Sequence, residues 1–359
     1  MSLKPLLKEA AVAQPVLGVV ASAIVMVIAL VFIALFELPT FLGWVSFYNL
    51  CLIPFQVMAV VLWGGANPSF VAKLSQPVKG LVMLLVTLVV AAVAAPLAFG
   101  SVGEGVSPPD MIPTHFVILA VPTTFYLSIV WGGWPFTNLF KNSIVAGLAL
   151  LVASYAITYV IFQLFFDYSF LQGAPIYLQS APQGMFNGVT ALVFYVTALA
   201  VMFIVLCFDL WPLTTVPGVM KQPVLGLVWT VVILVGAAIA LQIGVVSMGI
   251  DPMIFFTRAT VPFIFGSIVV LNMLQNSLFA KMTQPLKGVV NVIAVVVIGV
   301  ALSNLYGALA PIVTGPLASG PPGYVYEVWL ANSLLSVTFP FLIFYAVYLN
   351  YWPLIKPNH

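Results

Sequence analysis

Ten apolar stretches of about 20 residues follow one another along this chain with almost no charge inside them, and each is long enough to cross the hydrocarbon core as a helix. In lipid every backbone N–H and C=O must be bonded within the protein, which leaves few structures open to such a segment. The predicted spans are 15–36, 46–65, 78–99, 115–134, 143–166, 185–208, 224–248, 254–277, 286–309 and 326–351. Only 5% of residues are charged and mean hydropathy is +1.21, against roughly 25% charge in soluble domains, so a water-exposed surface could not be built. The expected fold is an all-α polytopic integral membrane protein, about ten transmembrane helices in tandem helical-hairpin repeats of the same orientation.

Ten crossings put both termini on one side. Lys4, Lys8, Lys73, Lys79, Lys141, Lys221, Lys281, Lys287 and Lys356 fall on that side and only Arg258 on the other, a bias that predicts cytoplasmic termini. A prokaryotic inner (cytoplasmic) membrane is the expected location. Glu37, Glu104, Asp110, Asp167, Asp251 and Glu327 take the opposite side, where solvating loops is the plainer account and greeting a cation the sharper one. Trp63, Trp131, Trp134, Trp211 and Trp352 mark inner helix ends, and Trp44 and Trp329 outer starts, as expected of interfacial anchors.

Four copies of one phrase open apolar runs: Gln14-Pro15-Val16-Leu17-Gly18, Gln76-Pro77-Val78-Lys79-Gly80, Gln222-Pro223-Val224-Leu225-Gly226 and Gln284-Pro285-Leu286-Lys287-Gly288. The first and third copies, like the second and fourth, stand 208 residues apart, the mark of a duplicated architecture. This pairing suggests a membrane repeat unit A over residues 1–140 (helices one to four) and a unit B over 221–359 (helices seven to ten). Between them, residues 141–220 form a degenerate middle hairpin, in which Asn142 and Ser143 stand at the Gln and Pro places.

Pro suits the first turn of a helix, where a missing N–H costs nothing. Gln14, Gln76, Gln222 and Gln284 each share a helical face with Gly18, Gly80, Gly226 and Gly288, four residues on. Such a Gly lets a neighbouring helix approach closely, and the Gln amide can then bond that neighbour's terminal carbonyls. This structural role outweighs an anion-attracting ring of helix N-termini, because Lys79 and Lys287 are already explained by topology.

Even-numbered helices carry an interior proline, Pro54, Pro122, Pro262 and Pro340, and the sixth lacks one. Each frees a carbonyl one turn earlier and bends the helix. Bends that face one another would open a cavity near mid-depth, with Gln56, Thr123, Thr124 and Ser333 as lining; bends that face lipid would only shape the bundle. Candidates for a substrate path are Asn49, Gln56, His115, Thr123, Thr124, Arg258, Asn304 and Asn332. Interhelical bonding is the blander reading of the amides, and an interfacial ion pair that of His115, Asp251 and Arg258.

No Asp, Glu, Lys or Arg is expected near the bilayer centre, where proton relays and ion-coupled carriers usually need one. Two histidines and two cysteines make neither a bis-histidine haem nor a metal framework, and no catalytic motif is found. The sequence therefore predicts no catalytic residue, no metal, no cofactor and no enzyme. Its partners are the lipid bilayer and either copies of itself or other membrane subunits, with no nucleic acid. The function it fits first is a multi-pass permease or channel-like protein for a small, mostly neutral solute; the alternative is a non-catalytic scaffold subunit of a larger membrane complex.

Overall fold

The computed structural model describes residues 13–65 and 68–355, so Lys4, Lys8 and Lys356 lie outside the described residues. Among the described residues ten helices are long and apolar enough to cross a membrane: α1 (Val16–Ala34), α2 (Leu38–Leu62), α3 (Val78–Val102), α4 (Met111–Val130), α5 (Ser143–Phe165), α6 (Gly188–Cys207), α7 (Val224–Ser247), α8 (Pro252–Met273), α9 (Leu286–Val313) and α10 (Val325–Tyr348). The protein is an all-α, multi-pass membrane protein. Two short parallel strands, β1 (Phe166–Asp167) and β2 (Phe186–Asn187), tie off the α5–α6 connection.

Burial divides the helices into two classes. In the even-numbered helices 56% to 72% of the most apolar window is buried, in the odd-numbered ones only 28% to 44%. Contacts explain the split: α2 packs on α4, α4 on α6, α6 on α8, α8 on α10, and α10 returns to α2. Five even helices thus close a ring, and the odd helices lie outside it in the five grooves. Helix α3 sits against α2 and α10, α5 against α4 and α2, α7 against α6 and α4, α9 against α8 and α6, and α1 against α10 and α8. Each outer helix turns one all-round apolar face to lipid, as Val19, Val27 and Val31 do from α1.

One joint fastens each outer helix at its start. The amide nitrogen of Gln14 donates to Met273 O at 3.1 Å, that of Gln76 to Tyr348 O at 2.6 Å, and that of Gln222 to Val130 O at 2.9 Å. Gln284 donates to Cys207 O at 3.4 Å and to Asp209 Oδ2 at 2.9 Å. Every carbonyl acceptor belongs to the last residue of an even helix, whose final carbonyls have no partner within the helix. The four amide oxygens accept from the backbone N–H of Gly18, Gly80, Gly226 and Gly288, at 3.0 to 3.3 Å. One side chain thus satisfies orphan groups on two helices. The residue after each acceptor lies against the glycine: Leu274 on Gly18, Leu349 on Gly80, Trp131 on Gly226 and Phe208 on Gly288.

The fifth joint is built differently. Asn142 caps its own helix by accepting from Ile144 N, and the link runs the other way, from Trp63 Nε1 to Ser143 O at 2.9 Å. Gly147 lies against the Trp63 indole, so Ser143, four residues before it, stands where the other joints have Gln. Trp63 is therefore a buried strut rather than a headgroup anchor, and so is Trp329, whose Nε1 donates to Thr314 Oγ1 at 2.8 Å.

Beyond each even helix the chain reverses through two successive left-handed residues: Gly64 and Gly65, Gly132 and Gly133, Asp209 and Leu210, Gln275 and Asn276, Asn350 and Tyr351. Glycine adopts this backbone freely, so the two glycine pairs are unstrained and the other three are not. The turns close by bonds back onto the helix, such as Gly133 N to Leu127 O at 2.9 Å and Tyr351 N to Tyr345 O at 3.1 Å. These ends form the face that carries Lys73, Lys79, Lys141, Lys221, Lys281 and Lys287; the other end of the ring is the acidic face.

Candidate functional site

The ring of even helices encloses a cavity of about 950 Å³ that runs inward from the acidic face. All five even helices contribute, with Leu50 and Ile53 from α2, Ile118 and Phe125 from α4, Val196 and Leu199 from α6, Ile264 and Ile268 from α8, and Asn332 and Phe339 from α10. None of the described lining residues belongs to an odd helix. The acidic-face connections complete the wall with Pro108, Pro109, Phe170, Leu171, Ile176 and Tyr324.

Helix N-termini converge on the mouth, and polar side chains cap them. Asp110 accepts from Met111 N at 2.6 Å, Asn187 from Val189 N at 3.1 Å, and Asp251 from Met253 N at 2.9 Å and Ile254 N at 3.2 Å. The capping carboxylates offset the positive ends of α4 and α8, so the mouth is no anion funnel. Tyr324 donates to Asp251 Oδ2 at 2.8 Å, and the carboxylate beside it pushes the Tyr324 hydroxyl up from its ordinary range. Glu104 bonds the Ser180 side chain and accepts from Ser180 N, which together hold its carboxyl below the usual carboxylate range and tie two acidic-face loops together.

Inside, the walls are apolar apart from a few neutral polar groups. His115 is buried and its Nδ1 lies 2.9 Å from the Tyr168 hydroxyl, which locks the α5–α6 connection against α4. Burial pushes the Tyr168 hydroxyl well up. Asn332 and Ser336 line the α10 wall, and Ser336 Oγ donates to Asn332 O at 2.6 Å. Phe125 and Phe339 form the floor, their rings 6.2 Å apart, and buried Phe203 backs it with its ring 5.6 Å from that of Phe125. About one helical turn further along α4 and α6 a second cavity, of about 580 Å³, opens among the ends of α2, α4 and α6.

Of the residues singled out in sequence for a path, His115 and Asn332 line the axial cavity; the others line neither cavity. Asn49 is buried between helices. Gln56 is spent on α10, its Nε2 donating to Pro340 O at 3.2 Å. Thr123 Oγ1 donates to Leu119 O at 2.8 Å and meets Tyr195 and Thr158, each at 2.9 Å, while Thr124 donates to Ala120 O. Arg258 and Asn304 are exposed on the outside of the bundle. Ser333 is buried and absent from both walls.

The prolines behave alike in only one respect, that all four are buried, and Pro122 alone lines the cavity. Counted from the residue that seats on each joint glycine, Pro54, Pro122 and Pro340 stand nine residues back from Trp63, Trp131 and Leu349. Pro262 stands twelve back from Leu274, almost one turn further out, because the joint falls on Leu274 and not on Leu271. Wide π turns accompany them, as at Phe256–Thr260 just ahead of Pro262 and Asn332–Thr338 ahead of Pro340. Hydroxyls take up carbonyls of the latter turn: Thr338 Oγ1 donates to Ser333 O at 2.7 Å. Helix α6, which has no interior proline, has no π turn.

Phe125 and Phe339, which line the cavity, are not marked by the sequence. A phenylalanine within an all-apolar helix carries no signal of its own, and only the register supplied by the joints points it at the axis. Comparison of the chain with protein-family models, curated proteins and solved structures gives no match.

Proposed function

We propose that this chain is a permease or channel-like protein for a small, mostly neutral solute, with no catalytic chemistry of its own. The observation that carries the reading is the axial cavity, walled by five even helices and by no outer helix, open at the acidic face and floored by phenylalanines. Concave, largely apolar spaces of this size with a few polar groups suit small molecules. Among the described residues no charged side chain lines the wall below the capped mouth, which favours a neutral solute and a mechanism without ion coupling. Buried Glu327 does not alter this, because its carboxylate accepts from Ser319 Oγ and Gly320 N and lines neither cavity. Lysines gathered at the joint face favour that face as cytoplasmic in a prokaryotic inner membrane, and the recurring joints favour an origin by repetition of one hairpin.

The test is solute efflux from liposomes holding the purified chain, with a panel of small neutral solutes such as urea, glycerol and short alcohols. Phe339→Ala thins the floor and should raise flux at least severalfold; Asn332→Leu removes a cavity amide and should lower it. Flux no greater than in empty liposomes for both the native chain and Phe339→Ala would refute the reading.

A further inference from the structure

The second cavity carries two buried polar groups that the fold does not need. Ser128 Oγ, from α4, and Trp229 Nε1, from α7, both belong to residues lining it, and each residue is 1% exposed. Neither atom has a hydrogen-bond partner among the described residues. A polar group left unpaired in an apolar interior costs stability, so its presence asks for a reason.

The recurring joints supply an internal control. Ser128 stands three residues before the joint residue Trp131, and the same place in the other even helices holds Val60, Val205, Leu271 and Ala346. Trp229 stands three residues after the joint glycine Gly226, where the other outer helices have Ala21, Met83, Leu150 and Asn291. Asn291 uses its amide nitrogen on Cys207 O and Asn276 Oδ1, so it serves a joint. Only where α7 meets α4 do both sides of a seam present a polar group at these places, and there both are left open.

Their chemistry defines what would complete them. An indole N–H can only donate, whereas a hydroxyl donates or accepts. The rest of the wall is aliphatic along Val61, Leu62, Ile129 and Leu206 and carries the hydroxyl residues Thr137 and Ser143, and among the described residues no charged side chain lines it. We infer that this cavity is a binding site for a small uncharged organic molecule with a carbonyl oxygen, which accepts from Trp229 Nε1 and from Ser128 Oγ while its carbon skeleton meets the aliphatic wall. A molecule lacking an acceptor would leave both donors unpaired and bind more weakly. The inference rests on the two orphaned donors and stands whether or not the chain transports anything.

The experiment uses the purified full chain with ¹⁵N-labelled tryptophan, and reads the indole N–H signals during titration with cyclohexanone or with methylcyclohexane, a similar shape without an acceptor. Trp229→Phe identifies the Trp229 signal. Cyclohexanone should move that signal downfield in a saturable way and methylcyclohexane should not. Ser128→Val, which installs the residue found at positions 60 and 205, should weaken cyclohexanone binding about three- to tenfold, and it keeps the test open if Trp229→Phe fails to fold. An indole spectrum unmoved by cyclohexanone, equal shifts with both probes, or native affinity in Ser128→Val would overturn the assignment, leaving water as the occupant. Binding without liposome flux would sink only the transport reading; flux with an unmoved Trp229 signal would sink only this site.

Discussion

Replacing Gly18 by alanine should destabilise the protein markedly more than the same change at Gly80, although the two glycines hold the same place in two joints. A Cβ on Gly18 would stand 2.3 Å from Met273 O, and one on Gly80 would stand 2.9 Å from Tyr348 O. An ordinary carbon–oxygen contact is about 3.3 Å, so the helices must part by roughly 1 Å in the first case and about 0.4 Å in the second. At Gly18 that movement stretches the Gln14 amide, now 3.1 Å from Met273 O, beyond hydrogen-bond reach. At Gly80 the bond starts at 2.6 Å and survives the same kind of shift, while the other close neighbour, Leu349 Cδ2, can swing aside. Overpacking costs about 1–3 kcal/mol and a lost hydrogen bond about 1 kcal/mol, against a gain of up to about 1 kcal/mol in helix propensity. The Tyr351 hydroxyl, 2.9 Å from Met273 O, keeps that carbonyl partnered and limits the loss. Gly18→Ala should therefore cost about 2–3 kcal/mol and Gly80→Ala about 0–1 kcal/mol. Gly100→Ala, with no neighbour within 4 Å of the new methyl, should be neutral or stabilising. Reversible unfolding in mixed micelles, followed by circular dichroism across a dodecyl sulfate series, measures all three. Equal costs at Gly18 and Gly80, or a Gly18→Ala variant as stable as Gly100→Ala, would refute the reasoning.

Gln76→Leu should cost about 2–3 kcal/mol in the same unfolding assay, because it strands Tyr348 O and the Gly80 N–H together. Lys287→Ala should cost less than about 1 kcal/mol, since Asp209 is 47% exposed and the pair is screened; the difference from native should shrink further in high salt. Glu104 has its carboxyl held below the ordinary range, so its loop contact is present above the usual carboxylate pKa and lost as pH falls through the lowered value. Hydrogen exchange at the Ser180 amide should accelerate on acidification, and Glu104→Gln should show faster exchange already at neutral pH.

The ten crossings were legible because length and hydropathy are one-dimensional properties, and the spans read from sequence overlap all ten helices. The chemistry of the Gln-Pro phrases was legible for a similar reason: an amide one turn from a glycine at a helix start has few uses in lipid. What sequence could not supply was the pairing of joints around the ring. Gln76 reaches Tyr348 and Gln14 reaches Met273, partners 272 and 259 residues away, and nothing local announces either. Without that ring, polar side chains were the natural guess for a path, and most were spent elsewhere. Gln56 and Thr123 bond neighbouring helices because lipid gives them no other partner, whereas the cavity wall is largely aliphatic. In water an apolar wall would mark a core; within a membrane bundle apolarity does not separate wall, core and lipid face, and only geometry does.

Thiol accessibility tests the axial cavity most directly. Cys51 and Cys207 are buried, so single cysteines can be read against a quiet background. In reconstituted liposomes, Asn332→Cys and Ser336→Cys should react with a small water-soluble methanethiosulfonate offered to the acidic face, and Thr124→Cys, buried outside the cavity, should not. Unreactive cysteines at both 332 and 336, with a labelled one at 124, would contradict an open axial cavity walled by the even helices.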